Sequence, residues 1–149
     1  ETSRIQPQLY VGGQHYRHGL ARMRALDIVS VVNMREESDD ARRGVALDHY
    51  LWLPTTDDAP PSVEDLNKGA TFIAEQIAAG RSVYIHCAAG VGRAPTMAVA
   101  YLVSTGMKPA QAWETVCQVR PFVRPTPPQL DVIEAFAAYL QRLETADHM

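Results

Sequence analysis

The sequence has little of what disulfide-rich, membrane-spanning or nucleic-acid-binding proteins depend on. It contains two cysteines in 149 residues, too few for a disulfide framework, and this favours a reducing, cytoplasmic location. No apolar run approaches the roughly 18–20 residues that a membrane-spanning helix needs. The formal net charge of -3 gives no support to non-specific nucleic-acid binding. We therefore expect no membrane span and no nucleic-acid partner.

The two cysteines, Cys87 and Cys117, also show no metal-ligand spacing relative to the five histidines. Zinc sites are recognised in sequences by short, regular Cys and His spacings, which are missing from this chain. We therefore expect neither a metal nor another cofactor. Cys117 falls within a predicted helix, where a small core residue is the simplest interpretation.

The chain does have enough apolar residues for one substantial core. Hydrophobic residues make up 46% of the 149 positions, which suits a single domain over residues 1–149. No internal repeat, low-complexity tract or long linker divides the chain. We expect this domain to act as a monomer.

Short apolar runs alternate with segments of helical periodicity. The runs predict strands at 9–11, 28–32, 50–53 and 82–85. Helical spacing predicts helices at 18–26, 62–80, 94–105, 109–119 and 127–143, the third of them buried. Ser62 is the expected cap of the second helix and Thr126 that of the last, whose expected core face consists of Leu130, Ile133, Ala137 and Leu140. The charged stretch 36–43 is interpreted as a solvated loop. The alternation predicts an α/β fold, with a central, mostly parallel sheet between layers of helices.

The segment from Val83 to Arg93 has the layout that phosphate chemistry requires, a strand followed by a loop and a helix. The first amides of a helix have no partner within it, and they lie at the positive end of the helix dipole. A phosphate at that point is stabilised by both effects. Gly90 and Gly92 allow the loop backbone to curl around one centre.

Cys87 and Arg93 are the candidate catalytic residues in this segment. A free thiol has a pKa of about 8.5, which helix N-termini and nearby cations lower to about 3.5–7.5. Arg93 supplies such a cation and a planar pair of donors matched to two phosphoryl oxygens. The bare spacing from Cys to Arg is a weak signal. The preceding His86, the glycines, the apolar strand and the following helix make it strong.

The segment His86-Cys87-x-x-Gly90-x-x-Arg93 resembles the signature of the protein tyrosine phosphatase superfamily. The rest of the chain is similar to the dual-specificity branch over nearly its full length, including Leu9–Gly12 and the segment beginning Gln129-Leu130. The resemblance implies a phosphocysteine intermediate on Cys87. It implies phosphate binding by Arg93 and by a loop consisting of Ala88, Ala89, Gly90, Val91, Gly92 and Arg93. His86 is expected to support this loop.

The resemblance also implies a general acid about thirty residues before the cysteine, on the proline-rich loop of residues 53–61. An acid is needed because the departing oxygen must be protonated. Asp57 fits the family spacing better than Asp58, which stays as the alternative. Ala94 is a departure, because many members carry Ser or Thr there to help the thiolate leave. We therefore expect slow breakdown of the phosphocysteine.

The sequence leaves several classes of substrate as alternatives. Only 86 residues precede Cys87, which leaves no room for an extended phosphotyrosine-recognition region and favours a shallow pocket. The expected partner is thus a protein phosphorylated on tyrosine, serine or threonine. The loop also resembles those of glucan phosphatases, so a phosphorylated glucan or a lipid is the alternative. Arg35 and Arg124 are candidates for substrate contact or are solvated surface arginines. A sulfur-transfer domain fits less well, because its loop is usually shorter and needs no upstream acid.

Overall fold

The computed structural model describes residues 2–147, which form a five-stranded sheet flanked by helices. The strands are β1 (Thr2–Gln6), β2 (Leu9–Gly12), β3 (Ile28–Arg35), β4 (His49–Thr55) and β5 (Ser82–His86). Their order in the sheet is β1-β2-β5-β3-β4. β2, β5, β3 and β4 are parallel, and β1 is antiparallel to β2. The predicted α/β fold with a mostly parallel sheet is confirmed, and β1 is an additional edge strand.

The helices are a 3-10 helix (Arg17–Gly19), α1 (Leu20–Ala25), α2 (Asp40–Arg43), α3 (Val63–Ala78), α4 (Arg93–Ser104), α5 (Pro109–Val119) and α6 (Pro127–Asp147). The five predicted helices occur in order, the first of them as a 3-10 helix followed by α1, and α2 is an addition. Both predicted N-caps are confirmed. Ser62 accepts the amide of Asp65 at 3.0 Å. The Thr126 hydroxyl accepts the amide of Gln129 at 3.4 Å, and the Gln129 side chain accepts the amide of Thr126 at 2.9 Å. In the described part of the chain no helix is long and apolar enough to cross a bilayer.

Side chains of β5 alternate between two cores, as the period of two in a strand requires. Val83 and Ile85 face the larger core, which α3, α4, α5 and α6 cover. Tyr84 faces a smaller cluster that includes Met23 of α1 and Val31 of β3. The sheet is therefore the middle of three layers.

Two local predictions were wrong. The stretch 36–43 is not wholly a solvated loop, because Asp39 caps the short helix α2 and Asp40 is fully buried. On α6, Leu130 is 41% exposed, whereas Gln129 is 1% exposed and Ile133 is buried. The helix is rotated so that Gln129 faces the neighbouring loop and donates to the carbonyl of Ala59 at 3.2 Å.

Candidate active site

The carboxyl ends of the four parallel strands meet at one edge of the sheet, where ligands bind in open α/β folds. Cys87 follows β5 directly, and α4 begins six residues later at Arg93. Gly90 is needed between them, because its φ of +72° is left-handed. A Cβ at Gly90 would also lie 2.6 Å from the Gly12 carbonyl carbon. Gly92 has a φ of -135°, so the loop does not require a left-handed backbone there.

The carbonyl oxygens of the loop all face groups outside it, and those of residues 88–92 accept hydrogen bonds from donors there. His86 Nδ1 lies 3.3 Å from the carbonyl of Cys87, and the amide of Gln14 donates to that of Ala88 at 3.1 Å. The side chain of Arg120 donates to the carbonyls of Ala89 and Gly90. The backbone amide of Arg124 donates to the carbonyl of Val91, and Thr96 donates to that of Gly92. In a planar trans peptide the N–H points opposite to the C=O. The N–H groups of residues 88–93 therefore face away from these donors, as a phosphate-binding loop needs.

Cys87 lies beneath this loop, 3% exposed. Its sulfur accepts the backbone amide of Ala94 at 3.4 Å, in the first turn of α4. An anionic sulfur at a helix N-terminus is stabilised by the dipole and by this hydrogen bond. The structure thus places the candidate nucleophile where negative charge is favoured.

Arg93 is 1% exposed, and its guanidinium is fixed from two sides. Nη1 and Nη2 donate to the two carboxylate oxygens of Glu37 at 2.8 and 3.0 Å. Nη1 also donates to the carbonyl of Thr55 at 2.8 Å. Burial tends to lower the pKa of Arg93, but its bonds to Glu37 raise it, so the side chain stays charged. Its buried Nε has no hydrogen-bond partner in the described residues, and a phosphoryl oxygen would supply one.

Glu37 is a residue of the candidate site that the sequence analysis missed. Hydrogen bonds from Arg93 lower the pKa of Glu37 from 4.5 to about 2, against the opposing effect of burial. Glu37 is therefore ionised near neutral pH and cannot be the general acid. Its position just after β3 was the available signal, because parallel strands end at the same edge of the sheet.

We expect Glu37→Gln to lower the melting temperature by about 2–4 °C near pH 7, because Arg93 would lose its anionic partner. A carboxyl with a lowered pKa stabilises the fold above its unfolded value, here 4.5, and loses that effect as the pH falls toward 2. The difference from wild type should therefore shrink between pH 5 and pH 3 in thermal melts. Glu36→Gln is the control, and a difference independent of pH would contradict the assignment.

Asp57 and Asp58 lie on the loop after β4, at the mouth of the site. A carboxylate oxygen of Asp57 is 3.6 Å from Arg93 Nη2, and the Asp57 side chain is 74% exposed. Asp58 has a φ of 65°, and its carbonyl accepts the hydroxyl of Thr126 at 3.1 Å. Asp57 thus lies beside the guanidinium of Arg93 and is accessible to a substrate. This geometry supports Asp57 over Asp58 as the general acid.

We expect Asp57→Asn to lower kcat by about 10²-fold on an alkyl phosphate, because the departing alkoxide would lose its proton donor. The loss should be smaller on an aryl phosphate whose leaving group is already stable. Asp58→Asn is the matched control and should stay within a few-fold of wild type. A larger loss in Asp58→Asn than in Asp57→Asn would reverse the assignment.

A continuous chain of hydrogen bonds joins the two ends of the loop between β5 and α4. Arg35 donates to Glu37 at 3.0 Å and to the side-chain oxygen of Gln14 at 2.9 Å. The side-chain NH₂ group of Gln14 donates to Asp40 at 2.9 Å, and a carboxylate oxygen of Asp40 lies 2.6 Å from His86 Nε2. Arg35 thus binds the partner of Arg93, and His86 supports the loop from behind.

The Asp40–His86 pair is fully buried. Burial tends to raise the pKa of Asp40, but its hydrogen bonds from His86 and Gln14 lower it below the ordinary value. His15 lies beside the pair, and ligand atoms of the three side chains come within 4.8 Å of one another. Asp40 and His86 could hold a metal only by giving up their mutual hydrogen bond. We therefore assign this pair to positioning the loop.

Arg120 is a second residue that the sequence analysis missed. It is 1% exposed and donates to the carbonyls of Gly90 at 2.7 Å and Ala89 at 3.0 Å. The backbone amide of the exposed Arg124 donates to the carbonyl of Val91 in the loop, whereas its side chain donates to the carbonyls of Pro121 and Val123. Arg120 therefore supports the loop. Arg35 belongs to the chain of hydrogen bonds that runs from Arg93 to His86. Cys117 packs at the edge of the larger core.

Ala94 is fully buried, and its backbone amide is the group that contacts the Cys87 sulfur. The methyl side chain cannot donate a hydrogen bond to a departing thiolate. We therefore expect a rapid-mix assay to show a burst of leaving group followed by slower steady turnover. Ala94→Ser should raise the steady rate several-fold and reduce the burst. A linear trace at a high turnover rate would contradict slow phosphocysteine breakdown.

Comparison with known proteins places these residues in a family. A family model described as the dual specificity phosphatase catalytic domain matches residues 9–138. A phosphatidylglycerophosphate phosphatase, PTPMT2, from Arabidopsis thaliana is 30% identical over 89% of this chain. A phosphatidylglycerophosphatase and protein-tyrosine phosphatase 1 from Homo sapiens is 30% identical over 97% of the chain. This chain spans 61% of the Arabidopsis protein and 77% of the human protein.

A solved structure agrees with these matches. The crystal structure of PTPMT1 in complex with PI(5)P superimposes with a TM-score of 0.88 at 26% sequence identity. The match covers 96% of this chain and 98% of the chain in that structure. The similarity therefore extends over the whole sheet and its helices.

Proposed function

Because this chain belongs to the dual-specificity phosphatase family, we propose that it hydrolyses phosphate monoesters through a phosphocysteine intermediate on Cys87. One observation carries the proposal. The buried thiol and the buried guanidinium of Arg93 stand at the two ends of one loop whose carbonyls all point away, and Arg93 Nε has no partner in the described chain. A phosphoryl group would complete this arrangement.

The proposed reaction has two displacements at phosphorus. In the first, the thiolate of Cys87 forms the S–P bond as the P–O bond to the leaving group breaks. Asp57 gives its proton to the departing oxygen. In the second, Asp57 accepts a proton from water as that water attacks phosphorus. The S–P bond then breaks, which releases phosphate and restores the thiolate.

Arg93 and the loop amides stabilise the phosphoryl oxygens in both displacements. The guanidinium of Arg93 is held in place before substrate arrives, because Glu37 and the Thr55 carbonyl accept hydrogen bonds from its Nη atoms. Preorganised donors need little reorganisation during the reaction, so their electrostatic effect on the barrier is large. Glu37 thus acts on the reaction only through Arg93.

We further propose that the substrate is a phospholipid whose head group ends in one phosphate monoester. The names of the Arabidopsis and human relatives support a lipid at least as well as the phosphoprotein expected from the sequence. The variable loop positions Ala88, Ala89 and Val91 carry no charge. The loop thus offers no side-chain cation to a second phosphate on the head group, which favours a single monoester. A phosphoprotein is the second candidate, since the human relative is also named a protein-tyrosine phosphatase.

The test is phosphate release from four substrates: phosphatidylglycerophosphate in mixed vesicles, a phosphotyrosine peptide, a phosphothreonine peptide and amylopectin phosphate. We expect kcat/KM to be at least about tenfold higher on the lipid, a preference of about 1.4 kcal/mol. Cys87→Ser must be inactive on every substrate. A preference for either peptide would contradict the lipid assignment in favour of a phosphoprotein substrate. A preference for amylopectin phosphate would contradict it in favour of a glucan substrate.

A further inference from the structure

The proposed general acid lies on a tight turn of the loop after β4. The amide of Ala59 donates to the carbonyl of Thr56 at 3.0 Å, which closes a four-residue turn with Asp57 and Asp58 at its centre. Asp58 has a φ of 65°, in the left-handed region that L-residues adopt at an energetic cost. At the start of the turn, the Thr56 hydroxyl donates to the side chain of Glu36 at 2.7 Å. A turn with such a residue persists where the surrounding structure holds it.

The carboxylate of Asp57 does little to fix this turn itself. One of its oxygens is 3.6 Å from Arg93 Nη2, and the side chain is 74% exposed. An ion pair at that distance and exposure is weak, because water and salt screen it. The carboxylate also accepts the amide of Asp58 at 3.0 Å, but that bond lies within the turn. The direction in which the acid points therefore depends on the groups that hold the backbone of residues 56–59.

Two side chains at the start of α6 hold the end of the turn. The hydroxyl of Thr126 donates to the carbonyl of Asp58 at 3.1 Å, and Gln129 Nε2 donates to the carbonyl of Ala59 at 3.2 Å. The carbonyls of the two residues that follow Asp57 are thus both bonded by α6. We propose that Thr126 and Gln129 are positioning residues, which hold the general acid over the phosphate-binding loop. This inference rests on the proposed function, because it concerns the proton donor of that reaction.

Gln129 also joins the acid turn to the phosphate-binding loop. Its side chain is 1% exposed and lies against Gly92, where a Cβ would be 3.1 Å from Gln129 Nε2 and 3.3 Å from Oε1. The glycine therefore leaves the space that this side chain occupies, one residue before Arg93. The loop binds the phosphoryl group and the turn carries Asp57, so one buried amide sets the distance between them. An acid must lie within hydrogen-bond reach of the departing oxygen, and a misplacement of about 1 Å can cost roughly 10²-fold in rate.

The test compares kcat/KM on two substrates that differ in their need for an acid. Hexyl phosphate has an alkoxide that must be protonated as it leaves, whereas the leaving group of p-nitrophenyl phosphate is stable as an anion. We expect Gln129→Met and Thr126→Val each to lower the ratio of hexyl to p-nitrophenyl kcat/KM about five- to tenfold. Thr126→Ser keeps the hydroxyl and should recover the wild-type ratio. Gln141→Met, the same substitution at an exposed position further along α6, should leave the ratio unchanged.

The ratio separates positioning from a purely structural role. Thr126 and Gln129 also cap α6, so both variants should melt at a lower temperature than wild type. A loss of folded protein or of phosphate binding lowers both rates by the same factor and leaves their ratio unchanged. A double variant then asks whether the effect passes through Asp57. Once Asp57→Asn has removed the acid, adding Gln129→Met should change the ratio by less than about twofold.

Two results would overturn the inference. One is a wild-type ratio in both Gln129→Met and Thr126→Val, and the other is a fall in the Asp57→Asn background as large as in the wild-type background. A failure of the proposed function looks different, because wild type would then release phosphate from neither substrate. If wild type hydrolyses both and Asp57→Asn keeps the wild-type ratio, the assignment of the acid is wrong. These last two results come from proteins that are unchanged at positions 126 and 129.

Discussion

Replacing Cys87 with serine should lower kcat by at least about 10⁴-fold on every substrate, because a serine hydroxyl remains protonated where a thiolate attacks. The thiol lies 3.4 Å from the Ala94 amide at the start of α4, and no side chain of residues 2–147 forms a hydrogen bond with it that could activate a hydroxyl in its place. The exchange of sulfur for oxygen is nearly isosteric. The loop and Arg93 should therefore still bind inorganic phosphate. Steady-state kinetics and phosphate calorimetry measure the two effects separately.

Cys117→Ser is the matched control, because Cys117 lies on α5 and packs at the edge of the larger core. It should retain wild-type kcat and KM. If Cys87→Ser keeps measurable turnover on any substrate, then Cys87 is not the nucleophile for that reaction. If Cys87→Ser also fails to bind phosphate, a folding defect must first be separated from chemistry by comparing thermal melts.

Arg93→Lys should lower kcat/KM by about 10³-fold although it keeps the positive charge. A lysine ammonium cannot bond both oxygens of Glu37, the Thr55 carbonyl and a phosphoryl oxygen in one plane. Both kcat and phosphate affinity should fall, because the guanidinium contacts the phosphoryl group throughout the reaction. Initial rates over a range of substrate concentrations, together with phosphate calorimetry, measure both losses.

Arg81→Lys is the control for this substitution, since Arg81 precedes β5 and donates to Gln76, at the opposite end of the strand. It should change kcat/KM by less than a factor of two or so. Retention of a tenth or more of wild-type kcat/KM in Arg93→Lys would show that charge alone suffices. The bidentate geometry with Glu37 would then have no catalytic importance.

Local sequence was sufficient for the order of most elements and for the centre of the site. The caps Ser62 and Thr126 were predictable because a capping residue acts within three positions of itself. The buried face of α6 was not predictable, because Gln129 rather than Leu130 is buried where the helix packs against the loop near Ala59. Helical periodicity gives the width of an apolar stripe, whereas the neighbouring elements decide its rotation.

The sequence by itself determined the layout of the candidate catalytic loop, because Cys87, Gly90 and Arg93 belong to one continuous strand, loop and helix. Only the tertiary structure decided which residues hold that loop. Gln14 follows β2 and bonds Ala88, and Glu37 follows β3 and bonds Arg93, because parallel strands deliver their carboxyl ends to one edge of the sheet. Strand order is set by packing across the whole sheet, so a position just after a strand marks a residue at this edge but does not say which residue it bonds there.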